Sequence, residues 1–293
     1  MSDTLPGPAF AADAEPEGAI DAHVHVWTPD VARYPLASGF TVDKIQPPSF
    51  TPEELLAQAR PAGVSRIVLI QMSFYRFDNR YMLETIARFP GVFRGVAIVD
   101  DKSDRPQDAM RELAKQGVRG FRITPGSQPL DAWLGSPGMD AMWKCAADDG
   151  LSICPLVNPH VLPALERKIA ANPKTRVVLD HFARVGISGE IVESELDALC
   201  ALAKFPQVHV KVSAFYALGR KAAPYSDLGP MIRRVLDAFG RERLMWASDS
   251  PFQVQSPHTY IDSIELIRSR LDFLTAEDRA WLLRRTAEKV FFG

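Results

Sequence analysis

The sequence predicts an α/β protein folded as a single (β/α)8 TIM barrel. Short apolar, β-branched runs alternate eight times with amphipathic stretches that end in Gly, Pro or Asn-Pro. No Gly-rich nucleotide fingerprint accompanies these runs, which favours a barrel over an open sheet and gives no reason to expect an organic cofactor. The 293 residues suffice for one such barrel, and no low-complexity linker divides them.

Several of the predicted strands are near-continuous apolar runs, as is typical of parallel strands buried on both faces. The eight predicted strands are, in chain order, AIDAHVHVW (19–27), SRIVLIQM (65–72), VFRGVAIVD (92–100), GVRGFRIT (117–124), LSICPLV (151–157), TRVVLDH (175–181), VHVKVS (208–213) and RLMWASD (243–249).

Helices are predicted in the segments between these strands and after the last one. The final helix opens with a Thr275 cap and an acidic first turn. The predicted helical stretches are 52–63, 79–90, 107–117, 138–150, 161–173, 193–206, 228–240 and 275–292.

Composition and charge exclude several classes of protein. A formal net charge of -2 gives no reason to expect nucleic acid or an anionic membrane surface as a partner. Three cysteines without CxxC spacing suggest reduced thiols in the cytoplasm. Residues 1–18 are small, acidic and Pro-rich, which predicts a flexible leader before a barrel domain at 19–293. No apolar stretch approaches the length of a transmembrane helix.

Two histidines lie one residue apart on the first predicted strand. Because residues alternate sides along a strand, His23 and His25 share one face, and in a barrel that face points inward. Two neutral imidazoles there can coordinate a metal or hold a substrate and water. The alternative is a pair of core histidines bonded to backbone carbonyls.

Further polar residues end the sixth and eighth predicted strands. Asp249 follows the apolar run LMWA, where a carboxylate is costly to desolvate unless it meets a cation or moves a proton. It suits a general base or a metal ligand, although it can also cap a helix that begins near Pro251. Asp180 and His181 are adjacent, so we expect His181 to face the interior and Asp180 to orient a neighbour from outside.

These residues carry a family resemblance. The set DAHVHVW at the first strand, LDHFARVG at the sixth and LMWASDSP at the eighth resembles the amidohydrolase superfamily. The resemblance extends from about residue 19 to the C-terminus. It is closest to the branch that contains 2-pyrone-4,6-dicarboxylate lactonase and sugar lactonases.

The resemblance implies roles for four residues as catalytic groups. His23 and His25 match a pair that binds metal in most of the superfamily and contacts substrate in the metal-independent lactonase. His181 matches the histidine that helps polarise the scissile carbonyl. Asp249 matches the aspartate that activates water.

Three departures from the pattern bear on the metal and on the wall of the pocket. Arg122 stands where binuclear members place a bridging lysine or glutamate, so a two-metal centre is not expected. The fifth strand places Leu156 or a near neighbour where many members have a histidine, and His160 falls beyond the strand end. Ser250 replaces the tryptophan of the usual SDWP. A single Zn²⁺ or Mn²⁺ can still bind, and the sequence leaves open whether one does; its ligands would be His23, His25 and Asp249.

Arginines near the strand ends predict an acidic small-molecule substrate, because guanidinium groups suit carboxylates. For Arg76 and its neighbour Arg80, a solvated helix start is an equal alternative. The expected substrate-binding residues are Arg122, Arg76, Tyr75, Arg184 and Tyr216.

Together these features predict a hydrolase of a small carboxylated lactone or ester, in which water is activated by Asp249 at the C-terminal mouth of the barrel. The first alternative is a metal-dependent non-oxidative decarboxylase of a small aromatic acid. The second is a non-catalytic barrel that binds an acid. Pairing into a homodimer is a further expectation.

Overall fold

A computed structural model describes residues 18–293 as one parallel eight-stranded barrel. The strands follow one another around the sheet in chain order, as the alternating pattern predicts. The predicted leader lies outside the described residues, except for Gly18. The strand bounds are β1 Ala19–Val24, β2 Val64–Ile70, β3 Phe93–Ala97, β4 Val118–Ile123, β5 Ser152–Pro155, β6 Arg176–Leu179, β7 Val208–Val212 and β8 Leu244–Trp246.

Helices surround the barrel at the places that the sequence predicts. Two more, Leu130–Leu134 and Tyr260–Glu265, are too short for the periodic pattern to reveal. After Ala276–Ala280 the predicted last helix continues as two wider π-type turns, Trp281–Arg285 and Glu288–Phe292. The helix bounds are α1 Pro52–Ala59, α2 Arg80–Arg88, α3 Pro106–Lys115, α4 Leu130–Leu134, α5 Pro137–Asp148, α6 Leu162–Ala171, α7 Glu193–Ala201, α8 Gly229–Phe239, α9 Tyr260–Glu265 and α10 Ala276–Ala280. Across the described range, no helix is both long and apolar enough to span a membrane.

The barrel interior has its own apolar core. The C-terminal segment closes the end of the barrel at which the strands begin, which we call the lower end; the upper end is the mouth at which the strands finish. Val290 and Phe291 pack into the same cluster as strand residues such as Ile20 and Met245. The side chain of Phe291 is fully buried. Cys154 lies in this cluster, and burial raises the pKa of its thiol to about 12, so it packs as a small apolar residue.

A bulge in β1 decides which of its side chains face inward. Asp21 pairs with Ile67, but Val24, three residues on, pairs with Leu69, only two residues on. The extra residue shifts the alternation. Ala22 faces the interior core and Val24 packs outside the barrel, so His23 and His25 both face inward.

The seam between β1 and β8 is closed by a few backbone contacts at the upper end. The amide of Asp249 donates to the carbonyl of His23 at 2.9 Å, and the amide of His25 donates to the carbonyl of Ser250 at 2.8 Å. These bonds bring the histidines of β1 and the aspartate after β8 side by side.

One half-buried titratable group on β7 makes stability depend on pH. Burial lowers the pKa of His209 to about 4. The imidazole therefore stays neutral in the folded protein while the unfolded chain binds a proton below its ordinary pKa of 6.5. The contribution of neutral His209 to stability is thus present above that value and is lost as the pH falls towards 4.

We expect the free energy of unfolding of the wild type to fall by roughly 2 kcal/mol more than that of His209→Gln between pH 7 and pH 4. Urea denaturation at several pH values in this interval measures the difference. Parallel curves for the two proteins would show that His209 does not titrate in this way.

Candidate active site

Three imidazoles converge on one carboxylate at the upper mouth of the barrel. The Nε2 atoms of His23 and His25 lie 3.5 Å and 3.3 Å from Oδ1 of Asp249. The Nε2 atom of His181 lies 3.7 Å from Oδ2 of the same carboxylate. All four side chains are buried. The structure thus brings together the four residues that the sequence selects as catalytic.

Hydrogen bonds at the far side of two imidazoles fix where their protons lie. The Nδ1 atom of His25 is 2.8 Å from the carbonyl oxygen of Ile70, which can only accept, so Nδ1 carries the hydrogen. The Nδ1 atom of His181 is 2.8 Å from the hydroxyl oxygen of Ser213, and that hydroxyl donates to the carbonyl of Lys211. In their neutral forms, His25 and His181 therefore direct Nε2 lone pairs at Asp249.

Both His181 and Asp249 adopt left-handed backbone conformations, with φ of 51° and 65°. Such conformations cost about 1–3 kcal/mol in a residue other than glycine and persist only where the surroundings impose them. The turn after β6 keeps φ positive from His181 through Arg184. The left-handed backbone at these two positions directs both side chains into the mouth, just beyond the ends of β6 and β8.

A second buried carboxylate, that of Asp180, organises the cations beneath the mouth. It lies 3.0 Å from Nζ of Lys211, 3.1 Å from Nη2 of Arg122 and 3.2 Å from Nδ1 of His23. The expectation that Asp180 acts from outside the barrel was wrong. Because β6 ends at Leu179, the strand alternation no longer separates Asp180 from His181, and both reach the interior.

The charges around Asp180 set the protonation of the site. Burial alone would raise the pKa of Asp180, but Lys211 and Arg122 hold it well below its usual range. Burial and the charge of Lys211 together lower the pKa of His23 well below its ordinary value. Neutral His23 accepts a hydrogen bond at Nε2 from Arg122, at 2.8 Å, and its Nδ1 atom lies 3.1 Å from Nζ of Lys211 and 3.2 Å from Oδ1 of Asp180.

Asp249 is an ionised carboxylate. Burial would raise the pKa of Asp249, but the positive charge that the nearby imidazoles, His181 foremost, carry when protonated lowers it below its usual value. Burial lowers the pKa of His181. Tyr216 donates its hydroxyl to Oδ2 of Asp249 at 2.8 Å, and burial next to this carboxylate raises the pKa of Tyr216. A proton acceptor thus faces the cavity.

The carboxylate of Asp249 opens into a cavity of about 260 Å³, which suits a small single-ring molecule. Arg122, Arg184 and Tyr216 line it, as the sequence predicts, and Leu156 of the fifth strand forms part of its wall. The cavity has apolar sides formed by Met72, Ile187, Leu218 and Phe252.

The two remaining predicted substrate contacts lie elsewhere. Arg76 lines an adjoining cavity of about 680 Å³, which shares Ser73, Arg122 and Leu156 with the first. Tyr75 is buried against Phe74 and lines neither cavity. Arg80 pairs with Asp78 at an exposed helix start, which is the solvated alternative that the sequence allowed.

The donors at the mouth fit a single divalent cation. Ligand atoms of His23, His181 and Asp249 lie within 4.8 Å of one another, a group that differs from the expected trio by His181 in place of His25. Among the described residues, Oδ1 of Asp249 is buried without a hydrogen-bond partner. Imidazole nitrogen and carboxylate oxygen suit Zn²⁺ or Mn²⁺. Because Nε2 of His23 already accepts from Arg122, a cation must compete with the guanidinium for that lone pair.

The fifth strand contributes no metal ligand. β5 runs from Ser152 to Pro155, and His160 lies beyond it in an exposed position away from both cavities. The decarboxylase alternative depends on a firmly held metal and a histidine on this strand. The described residues therefore offer it no support.

Three residues of the site escaped sequence reasoning. Ser213 orients His181, and Asp21 and Tyr260 bond to each other behind β1 at 2.6 Å. Ser213 shares a strand face with Lys211, so extension of the β7 alternation past Val212 would have pointed to it. Nothing in the local sequence signals the pairing of Asp21 with Tyr260, because 239 positions separate them.

Comparison with protein families gives one match that covers almost the whole barrel. The sequence model of the amidohydrolase family matches residues 20–293.

Individual proteins of known sequence and structure are similar over most of the chain. L-fucono-1,5-lactonase of Burkholderia ambifaria is 34% identical over 82% of this chain and 82% of its own length. A 2-pyrone-4,6-dicarboxylate hydrolase of Comamonas testosteroni is 29% identical over 85% of this chain and 82% of its own length. One similar crystal structure is that of a protein from Pseudomonas putida that has been assigned as a 2-pyrone-4,6-dicarboxylic acid hydrolase. It superposes with a TM-score of 0.77 and 27% sequence identity, and the superposition covers 94% of this chain and 97% of that chain.

Because the guanidinium of Arg122 and a metal ion would compete for Nε2 of His23, we expect removal of that guanidinium to strengthen metal binding. Arg122→Met should bind Zn²⁺ at least about tenfold more tightly than the wild type, equivalent to about 1.4 kcal/mol, because Nε2 of His23 becomes free. Isothermal titration at constant pH measures both dissociation constants.

The matched control is Arg184→Met, which removes a charge from the same cavity but no contact with His23. Equal zinc affinity in the wild type and Arg122→Met would contradict the competition.

Proposed function

The chain belongs to the amidohydrolase family, and from that membership and the geometry of the barrel mouth we propose that it hydrolyses a small carboxylated lactone. The observation that carries this proposal is the buried carboxylate of Asp249, whose Oδ1 atom has no hydrogen-bond partner among the described residues and lies at the mouth cavity. The relatives named as lactonases and lactone hydrolases support the substrate class.

Asp249 is the general base in this proposal. A water molecule between Asp249 and the lactone carbonyl gives its proton to the carboxylate as its oxygen attacks the carbonyl carbon. The tetrahedral intermediate then collapses with cleavage of the ring C–O bond. Protonated Asp249 returns the proton to the departing ring oxygen, so that one water and one lactone give one hydroxy acid.

Arg122 is the group best suited to stabilise the oxyanion. Its guanidinium lines the cavity, and its buried Nε atom has no hydrogen-bond partner within residues 18–293. His181 was expected to polarise the carbonyl, and His25 to bind metal or contact the substrate. In the tautomers fixed by Ile70 and Ser213 they present lone pairs, so we assign them to holding the attacking water.

Arg184 is the proposed contact for the carboxylate of the substrate. It lines the cavity and donates to the amide oxygen of Asn158 at 3.3 Å, but no carboxylate within residues 18–293 pairs with it. An unneutralised guanidinium beside a small cavity favours an anionic ligand.

One Zn²⁺ or Mn²⁺ is the only cofactor in this proposal, and His23, His181 and Asp249 would hold it. Such a cation would lower the pKa of a bound water and polarise a carbonyl.

Asp249→Asn should lower kcat for a hydrolysed lactone by about 10³-fold, because the amide cannot take the proton. Ring opening of a panel of carboxylated lactones, followed by pH-stat titration, measures the rates. Asp237→Asn, which removes an exposed carboxylate on α8, serves as the control. Full activity in Asp249→Asn would refute the mechanism.

Arg184→Gln should raise KM for a carboxylated lactone roughly tenfold or more, since a charge-assisted hydrogen bond contributes about 1.5–3 kcal/mol. The methyl ester of the same lactone should show nearly the same KM with both proteins. Arg80→Gln is the control, because Arg80 is paired with Asp78. An equal rise in KM for acid and ester would argue against carboxylate recognition by Arg184.

A further inference from the structure

Behind the histidines of β1 lies a buried carboxylate that the proposed reaction does not use. Asp21 is fully buried and faces away from the mouth. Its Oδ1 atom accepts from the backbone amides of His23, at 3.2 Å, and Ser248, at 2.9 Å. Its Oδ2 atom accepts from the hydroxyl of Tyr260 at 2.6 Å. All of its partners are uncharged, so this carboxylate forms no ion pair within the described range.

The first of these bonds lies within the β1 bulge. The extra residue between Asp21 and Val24 interrupts the regular pairing with β2. A bulged backbone amide loses its ladder partner and needs another acceptor. The side chain of Asp21 supplies that acceptor to the amide of His23. It therefore stabilises the backbone shift that turns His23 and His25 inward.

The second bond crosses the seam of the barrel. β8 ends at Trp246, and the described contacts between β1 and β8 above it are a short set of backbone bonds near His23 and Ser250. Ser248 directly precedes Asp249. The same Oδ1 atom thus holds the backbone of His23 on one side of the seam and the residue before Asp249 on the other.

We propose that Asp21 is a positioning residue, which sets the distance between His23 and Asp249 by holding both backbones through one oxygen. Tyr260, on α9, fixes the rotation of the Asp21 carboxylate by donating a hydrogen bond to its other oxygen, Oδ2. The proposal predicts that the place of the oxygen matters and that its negative charge does not. A displacement of about 1 Å at a catalytic group can lower a rate by about 10²-fold.

Two substitutions separate position from charge. Asp21→Asn keeps an oxygen in place for both amides, and its amide group can donate to the hydroxyl of Tyr260. Asp21→Glu keeps the charge but moves the carboxylate by one methylene. We expect kcat to stay within about threefold of the wild type in Asp21→Asn and to fall about 10²-fold in Asp21→Glu, with KM nearly unchanged in both.

The kinetic comparison rests on the proposed lactonase activity, so a second measurement is independent of it. Amide hydrogen exchange, resolved by NMR, should be slow at His23 and Ser248 in the wild type and in Asp21→Asn. It should be at least about tenfold faster at both positions in Asp21→Glu, while amides of the interior strands such as Val178 keep their protection. If Asp21→Glu fails to fold, Asp21→Ala provides the same comparison.

A fall in kcat for Asp21→Asn with full activity in Asp21→Glu would overturn the proposal in favour of an electrostatic role. Unchanged exchange at His23 and Ser248 in Asp21→Glu would also overturn it. An inactive wild type whose exchange follows the expected pattern would contradict the proposed function and leave the positioning role standing.

Discussion

The ion cluster around Asp180 is the interaction on which the rest of the site depends. Two cations, Arg122 and Lys211, lie in the barrel interior with a single carboxylate between them. Removal of one partner of a buried ion pair typically costs about 3–5 kcal/mol, because the other charge remains buried. The cluster therefore has one stable arrangement. That arrangement holds His23 neutral and places the guanidinium of Arg122 at the mouth.

The two buried carboxylates of the mouth consequently have different tasks. Asp180 is neutralised by cations and serves as a fixed structural charge. Asp249 lies among three imidazoles and the hydroxyl of Tyr216, with one oxygen unpartnered among the described residues. In the proposed mechanism only the second takes a proton from a bound molecule. Different surroundings thus give similar side chains different proposed roles, one as a scaffold and one as a base.

Most of the barrel and the identity of the central residues were predictable from the sequence. Eight apolar runs correspond to the eight strands, since strand periodicity is a local property of the chain. The inward direction of His23 and His25 was also correct, but the bulge that produces it was not foreseen. A single extra residue in a parallel pair leaves no local signature, because it is visible only against the partner strand.

The errors at the site have the same physical origin. Asp180 was expected outside the barrel because only one of two adjacent strand residues can face inward, and His181 was chosen. The strand ends at Leu179, and the left-handed backbone at His181 turns that side chain inward next to Asp180. The tautomers of His25 and His181 depend on Ile70 and Ser213, which lie on other strands. Such contacts are set by tertiary structure, and residue types alone do not reveal them.

In the proposed reaction, water attacks the carbonyl carbon of a lactone. Ring opening in ¹⁸O-enriched water, followed by mass spectrometry of the product fragments, tests it directly. We expect one ¹⁸O atom in the newly formed carboxylate, an unlabelled hydroxyl and no release of carbon dioxide. Label in the hydroxyl, or release of carbon dioxide from the substrate, would contradict it.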